Sequence, residues 1–334
     1  MSTTTSRRRQ QKTAESGFTL VELLVAMAIS TVIAIAAVAS LVISRQGFTA
    51  VDAASQLRDN ARFSIDLIQR LGVQSGFKTA EFATTTRVTN NANVAANPDP
   101  NITGFNNALA DTTDPVNTLV SRPAGSLGYG SDVLIMRSQT DVAFPGATAS
   151  DGTMIDCMGT RITAVPSDRD DRFISILSVG VNTLTGEPEL RCRTANSAGP
   201  TGLPQPIVQG VENFQVLYGV DGGATPDWVT DRFLRADQMV DPGGDPAVTN
   251  ANWRRVRSLR IGMVIRGPVG SKSDASSQTF YPMGMAKDSA TGTAGYAMSA
   301  TADAGTREPN TTVADTRLRQ IVSFTVHLRN EQGL

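Results

Sequence analysis

Four side chains hold most of the specific chemistry open to this 334-residue chain: His327, Cys157, Cys192 and Glu22. His327 is the sole histidine, so two-histidine zinc proteases, histidine-cluster metal sites and iron facial triads are excluded. A Ser/His/Asp relay would have to run through this one residue. Period-two alternation puts it on the face opposite Phe324, Val326 and Leu328, where an exposed strand histidine is the simpler reading. Two cysteines exclude a four-cysteine zinc or iron–sulfur centre, and their spacing is far from Cys-x-x-Cys. No phosphate-binding glycine loop or paired-carboxylate arrangement stands out. No catalytic residue, cofactor or metal is assigned, and the chain is not read as an enzyme.

Glu22 is the exception, because it is the single charge in the twenty-six residues from Phe18 to Ile43. As a helix that run would be about 39 Å long, against roughly 30 Å of bilayer hydrocarbon. Arg7, Arg8, Arg9 and Lys12 precede it with only Glu15 opposing them, so the positive-inside bias keeps the N-terminus cytoplasmic and sends the chain after Arg45 across the membrane. A cleaved secretory signal is the rival, with Ala37-Val38-Ala39 offering a small-x-small site. The run exceeds the roughly 7–15 residues of a signal core, and such a core has no use for a carboxylate. Placing that carboxylate in hydrocarbon costs on the order of 3 kcal/mol, so it should have a partner. A cut between Gly17 and Phe18 would create one, a new α-amino group in the same chain or in a neighbour.

The segment Gly17-Phe18-Thr19-Leu20-Val21-Glu22-Leu23-Leu24-Val25 resembles the class III signal of type IV prepilins. The resemblance implies that a prepilin peptidase cuts after Gly17 and that the new N-terminal Phe18 is methylated. It also implies that Glu22 guides docking into a growing filament. Losing residues 1–17 removes four basic and one acidic side chain and leaves 26 basic and 30 acidic, so a near-neutral precursor becomes a mildly acidic mature chain.

Past Ile43 the sequence turns amphipathic without a proline break. Val51, Ala54, Leu57, Ala61, Ile65, Ile68 and Leu71 recur at three- and four-residue steps, which predicts one long helix ending between Gly72 and Gly76. Residues 79–130 are rich in Asn, Thr, Ala and Pro and read as loops, as do 267–316. Short apolar runs at Val133–Met136 and Phe173–Val179, the latter paired through Gly186 and Pro188 with Leu190–Arg193, read as strands. Alternation over 214–220, 259–266 and 322–328 predicts an antiparallel sheet with one covered face, the helix being the natural cover. The expected fold is α+β, a long N-terminal helix packed on an antiparallel sheet. The divisions are a basic leader (1–17), a membrane or filament-core helix (18–43), its amphipathic continuation (44–76) and a β-rich exported domain (77–334).

In an oxidising compartment Cys157 and Cys192 are expected to pair, and closing a loop of about 36 residues contributes roughly 4 kcal/mol in the chain-entropy model. Three segments, Ile207–Asp221, Val256–Ile261 and Leu318–Asn330, are similar to PilW-type minor pilins, which narrows the resemblance. It implies a subunit that primes or caps a pilus. Its partners would be the prepilin peptidase, other minor pilins, the major pilin, inner-membrane lipid and, where the pilus carries one, a tip adhesin, and its final location the pilus or cell surface. The filament would serve motility, adhesion or DNA uptake. A type II secretion pseudopilin of the J kind and a pilus-tip adhesin are the alternatives.

In the Gly/Pro-rich loop after 220, PilW-like sequences often look like Asp-rich calcium loops. Asp221, Asp227, Asp231, Asp237, Asp241 and Asp245 crowd such a loop here, but Asp221–Asp227 lacks the alternating ligand order, so calcium is not expected. Arg254, Arg255, Arg257 and Arg260 beside Trp253 form a basic patch that could hold DNA phosphates. A solvated strand edge or subunit contact accounts for it more simply, so nucleic acid is not expected as a partner.

Overall fold

The computed structural model describes residues 17–82, 97–123, 125–223, 225–276, 280, 282–283 and 315–330. It forms two compact units, the first ending at Thr49 and the second beginning at Ala50.

Helix α1 (Leu20–Gln74) has 55 residues, and every described position up to Thr49 is exposed. From Ala50 onward it buries one stripe: Ala53, Leu57, Ala61, Ser64, Ile68, Leu71 and Gly72. Val51, which the apolar spacing assigned to this stripe, is exposed. At 100° per residue it lies about 160° around the helix from Ala53, so Ala53 takes the inward position. Near its end the helix approaches the sheet so closely that a Cβ on Gly72 would sit 2.5 Å from Val326 Cγ1. Asn330 Nδ2 then donates to the carbonyls of Val73 (3.0 Å) and Ser75 (3.1 Å), satisfying acceptors that a helix terminus leaves open.

The strands of the second unit are β1 (Ile102–Phe105), β2 (Ala108–Ala110), β3 (Leu119–Ser121), β4 (Val133–Ser138), β5 (Phe173–Val181), β6 (Pro188–Asn196), β7 (Gly199–Pro200) and β8 (Gln205–Gln209). They continue with β9 (Val211–Val220), β10 (Arg232–Leu234), β11 (Val256–Arg266) and β12 (Arg319–His327); a 3₁₀ turn (Ala236–Met239) and α2 (Pro246–Trp253) precede β11. One sheet runs β1-β4-β5-β6-β7, with β8 also on β6; a second runs β10-β9-β11-β12; β2 and β3 form a separate ribbon. Among the described residues the strand pairings are antiparallel.

Two expectations need correction. Residues 97–123, read as loop from their composition, carry β1, β2 and β3. These strands are three or four residues long, too short to show a period, and β1 is defined by pairing with β4. Residues 83–96 and most of 267–316 lie outside the described residues. The second sheet also has more than one covered face: β9 is buried at nine of its ten positions and partly buried at Gln215. The helix side is joined by cover on the other side, where the Pro282 carbonyl would meet a Cβ on Gly262 at 2.8 Å and Thr230 Oγ1 bonds Ser258 Oγ at 2.9 Å.

Asp132 fastens the two sheets together. Its N–H donates to the Phe214 carbonyl (2.7 Å), while its carboxylate accepts from the N–H groups of Val216 (2.8 Å) and Asn107 (2.9 Å). The main core gathers Leu57, Ile68, Leu134, Leu177, Phe214, Ile261 and Val326. Tyr218 and Trp253 meet edge to face at 4.7 Å within it.

Candidate functional site

The chemistry at the start of α1 begins with two residues three apart. Glu22 Oε2 accepts from the Thr19 N–H and from Thr19 Oγ1, both at 3.0 Å, and Thr19 Oγ1 accepts from the Glu22 N–H at 3.3 Å. This is a reciprocal capping box, in which Thr-x-x-Glu satisfies two donors that a helix start leaves open. The carboxylate also lies at the positive end of the helix dipole. Thr19 was not singled out from the sequence, although the Thr-x-x-Glu spacing was there to be read.

Gly17, Phe18 and Thr19 precede the first helical residue, so the Gly17–Phe18 peptide lies outside the α1 hydrogen-bond ladder. Nothing lies within 4 Å of a Cβ built on Gly17, and Phe18 is 88% exposed. From Leu20 the helix shows leucine, valine, isoleucine and methionine on all sides up to Phe48. It is long and apolar enough to cross a membrane. Both hydrogen bonds from Thr19 fall on Glu22 Oε2, and the residue is exposed.

Cys157 and Cys192 are joined in a disulfide with Cα atoms 5.7 Å apart, both residues buried. The bond ties the turn at Asp156–Gly159 to the middle of β6, opposite Leu177 of β5. The Cys157 N–H donates to Ser175 Oγ at 3.1 Å, fixing the same turn a second time.

The remaining polar features of the sequence are mostly absorbed by the fold. Trp253 is buried in the core, not displayed beside a basic patch. Arg254 bonds Asn97 Oδ1 (2.9 Å) and the Pro98 carbonyl (2.6 Å), Arg255 bonds the Gly223 carbonyl, and Arg257 lies 3.7 Å from Asp221. The aspartates of the Gly/Pro-rich loop are turn and cap residues. Asp231 accepts from the Gly222 N–H (2.7 Å), Asp241 from Asp245 (3.0 Å), and Asp245 caps α2 through the Ala247 N–H (2.8 Å). Among the described residues no group of three or more His, Cys, Asp or Glu is placed to hold a metal ion. His327 is exposed at the end of β12.

A network that alternation could not reveal closes the other end of the sheets. Arg266 bridges Glu187 (2.9 Å) and Glu212 (3.2 Å), Arg317 reaches Glu187 (2.7 Å), and Arg319 reaches Glu212 and Asp315 (2.7 Å each). Burial works to raise the Glu187 carboxyl, but the hydrogen bonds and charges of Arg317 and Arg266 hold it below the usual carboxylate range. Asp315 is lowered by its hydrogen bonds from Arg319 against a smaller opposing effect of burial. These groups come from the β5–β6 turn, β9, β11 and the approach to β12, so the network joins both sheets.

Two family models match this chain. Residues 12–38 match the prokaryotic N-terminal methylation motif, and residues 176–330 match type IV pilus-assembly protein W. The two matches together support a PilW-type minor pilin. The first match spans the capping box and most of the exposed apolar helix, and the second runs from β5 through β12. Among solved structures, a type IV-like pilin, TTHA1219 from Thermus thermophilus, aligns at 14% identity over 83% of this chain and 98% of its own, with a TM-score of 0.39. No curated protein matches the chain. Proteins of the PilW-type family are structural rather than enzymatic. The methylation motif and apolar helix together indicate membrane anchoring and assembly with other pilins.

Proposed function

We propose that this PilW-type chain enters the inner membrane with residues 1–17 in the cytoplasm and that a prepilin peptidase then cuts after Gly17 and methylates Phe18. The Phe18–Ile43 helix next packs laterally against other minor pilins and the major pilin, and the exported domain primes or caps the pilus. The leader, the 18–43 core helix, the 44–76 continuation and the domain from 77 onward correspond to those tasks. In this reading motility, adhesion and DNA uptake follow from the filament, not from a reaction at this chain.

The observation that carries the proposal is the single carboxylate at the head of an exposed apolar helix. Glu22 is engaged with Thr19 through Oε2. The remaining acceptor capacity of the carboxylate suits the ammonium of a neighbouring subunit's mature N-terminus, a charge-assisted contact strengthened by low dielectric.

Two substitutions separate docking from helix capping. Glu22→Ala removes both charge and cap, whereas Glu22→Gln keeps a capping-box side chain and removes only the charge. Both variants are expected to insert in the membrane normally and to reduce surface pili to a similar extent. Wild-type piliation in Glu22→Gln would mean that the cap, not the charge, is what assembly requires.

A further inference from the structure

At the end of the second sheet an exposed tryptophan is held in a conformation that its side chain does not favour. Trp228 has φ +66°, in a region where a bulky L-residue is a genuine outlier. Asp221, fully buried, fixes it by accepting the Trp228 N–H at 3.1 Å. The Arg257 guanidinium carbon lies 4.1 Å from the ring centroid, and its Nε lies 3.7 Å from the same Asp221 carboxylate. The loop is pressed onto the sheet where Gly219 leaves no room for a Cβ between Thr230 and Ser258. Despite these restraints Trp228 stays 53% exposed and the adjacent Val229 58%. Such strain persists where the surroundings over-determine it, and it clusters at sites that bind.

The tryptophan forms one wall of a groove of about 670 Å³ that also includes Val229, Arg257, His327, Leu328 and Arg329. No carboxylate lines the groove among the described residues. Asp221 is buried beside Arg257, while the lining residues His327 and Arg329 are exposed. Trp and Arg are the residue types that most often dominate protein–protein binding energy, and a ring already fixed in place loses little freedom on binding. The rim residue Asn330 also caps the C-terminal end of α1, so the groove wall is tied to the helix.

We infer that this groove docks a protein segment of a neighbouring filament subunit, one that places an aliphatic or aromatic side chain against Trp228 and Val229 and a carboxylate against Arg329. The occupant is set by charge complementarity: an apolar wall meets a rim that carries cations and, among the described residues, no anions. The inference rests on the filament-subunit reading above and adds to it a contact surface remote from the N-terminal helix.

The test is photo-crosslinking in cells making the full-length chain with Val229→p-benzoylphenylalanine, the adduct being mapped by mass spectrometry. Leu184, 94% exposed on the β5–β6 turn, serves as the control position. The expected adduct joins position 229 to an apolar residue with Asp or Glu close by in sequence, in another chain carrying the N-terminal methylation motif. Arg329→Glu, an exposed change, should lower its yield by about tenfold or more, and reversing the partner's carboxylate to Arg should restore it. An adduct with a glycan, a lipid or a neutral or basic segment overturns the inference, as does a yield no higher than at Leu184 or indifferent to Arg329→Glu. The N-terminal peptide mass from the same sample separates the two levels. A methylated Phe18 without the adduct removes only the groove, whereas an unprocessed N-terminus removes the filament-subunit reading beneath it.

Discussion

Thr19 and Glu22 show how one side chain serves two requirements that the sequence presents as one. The lone acid in an apolar run is conspicuous because of its cost in hydrocarbon. Its hydrogen bonds from Thr19 reduce that cost within the chain; the Thr-x-x-Glu spacing hints at them, and the helix start at Leu20 gives them their geometry. Gly72 is the complementary case, a residue legible in sequence only as a stop signal. In the fold it is a point of close approach between α1 and β12, where a Cβ would meet Val326. Gly72→Val should therefore destabilise the second unit by about 1–3 kcal/mol through overpacking against Val326. In thermal unfolding of the full chain this would read as a fall in Tm of roughly 3–10 °C. An unchanged Tm would mean that the helix end moves away from the sheet at little cost.

At the scale of elements, strong periodicity was informative and short strands were not. Alternation in β9, β11 and β12 located the second sheet, and three- and four-residue steps located the helix face, with Val51 the one misplaced member. Strands β1–β3 escaped notice because pairing partners far along the chain define them. The same limit hid the Arg266–Glu187–Arg317–Glu212–Arg319–Asp315 network, whose members are up to 132 residues apart. It gives a pH prediction. The folded-state pKa values of Glu187 and Asp315 are depressed, so the unfolded chain binds protons first on acidification. Their stabilisation is present above the unfolded carboxylate values near pH 4 and is lost as pH falls through the folded ones. Tm should drop below about pH 4, and Glu187→Gln should make that drop shallower; an unaltered profile would exclude Glu187 as a contributor. The disulfide acts between elements as well, holding the Asp156–Gly159 turn to β6. Replacing Cys157 and Cys192 together by Ser should cost about 2–5 kcal/mol, measured as a lower denaturant midpoint.

For the whole molecule, the scarcity of histidine and cysteine turned attention from catalysis to assembly. The structure accounts for the polar clusters that had invited other readings: the aspartates cap turns, and most of the basic patch is spent on local carbonyls and on Asp221. The Trp228 groove was not legible, because nothing in the string Asp227-Trp228-Val229 reveals a positive φ or an arginine beneath the ring. The N-terminal motif remained readable throughout because its information is local, a glycine, an aromatic and a lone acid at the head of an apolar run. Processing by the prepilin route is read out in the mass of the mature N-terminal peptide. A peptide that begins at Phe18 and carries one added methyl group is expected; a mature chain beginning at Ser40, after Ala37-Val38-Ala39, would rule the prepilin route out.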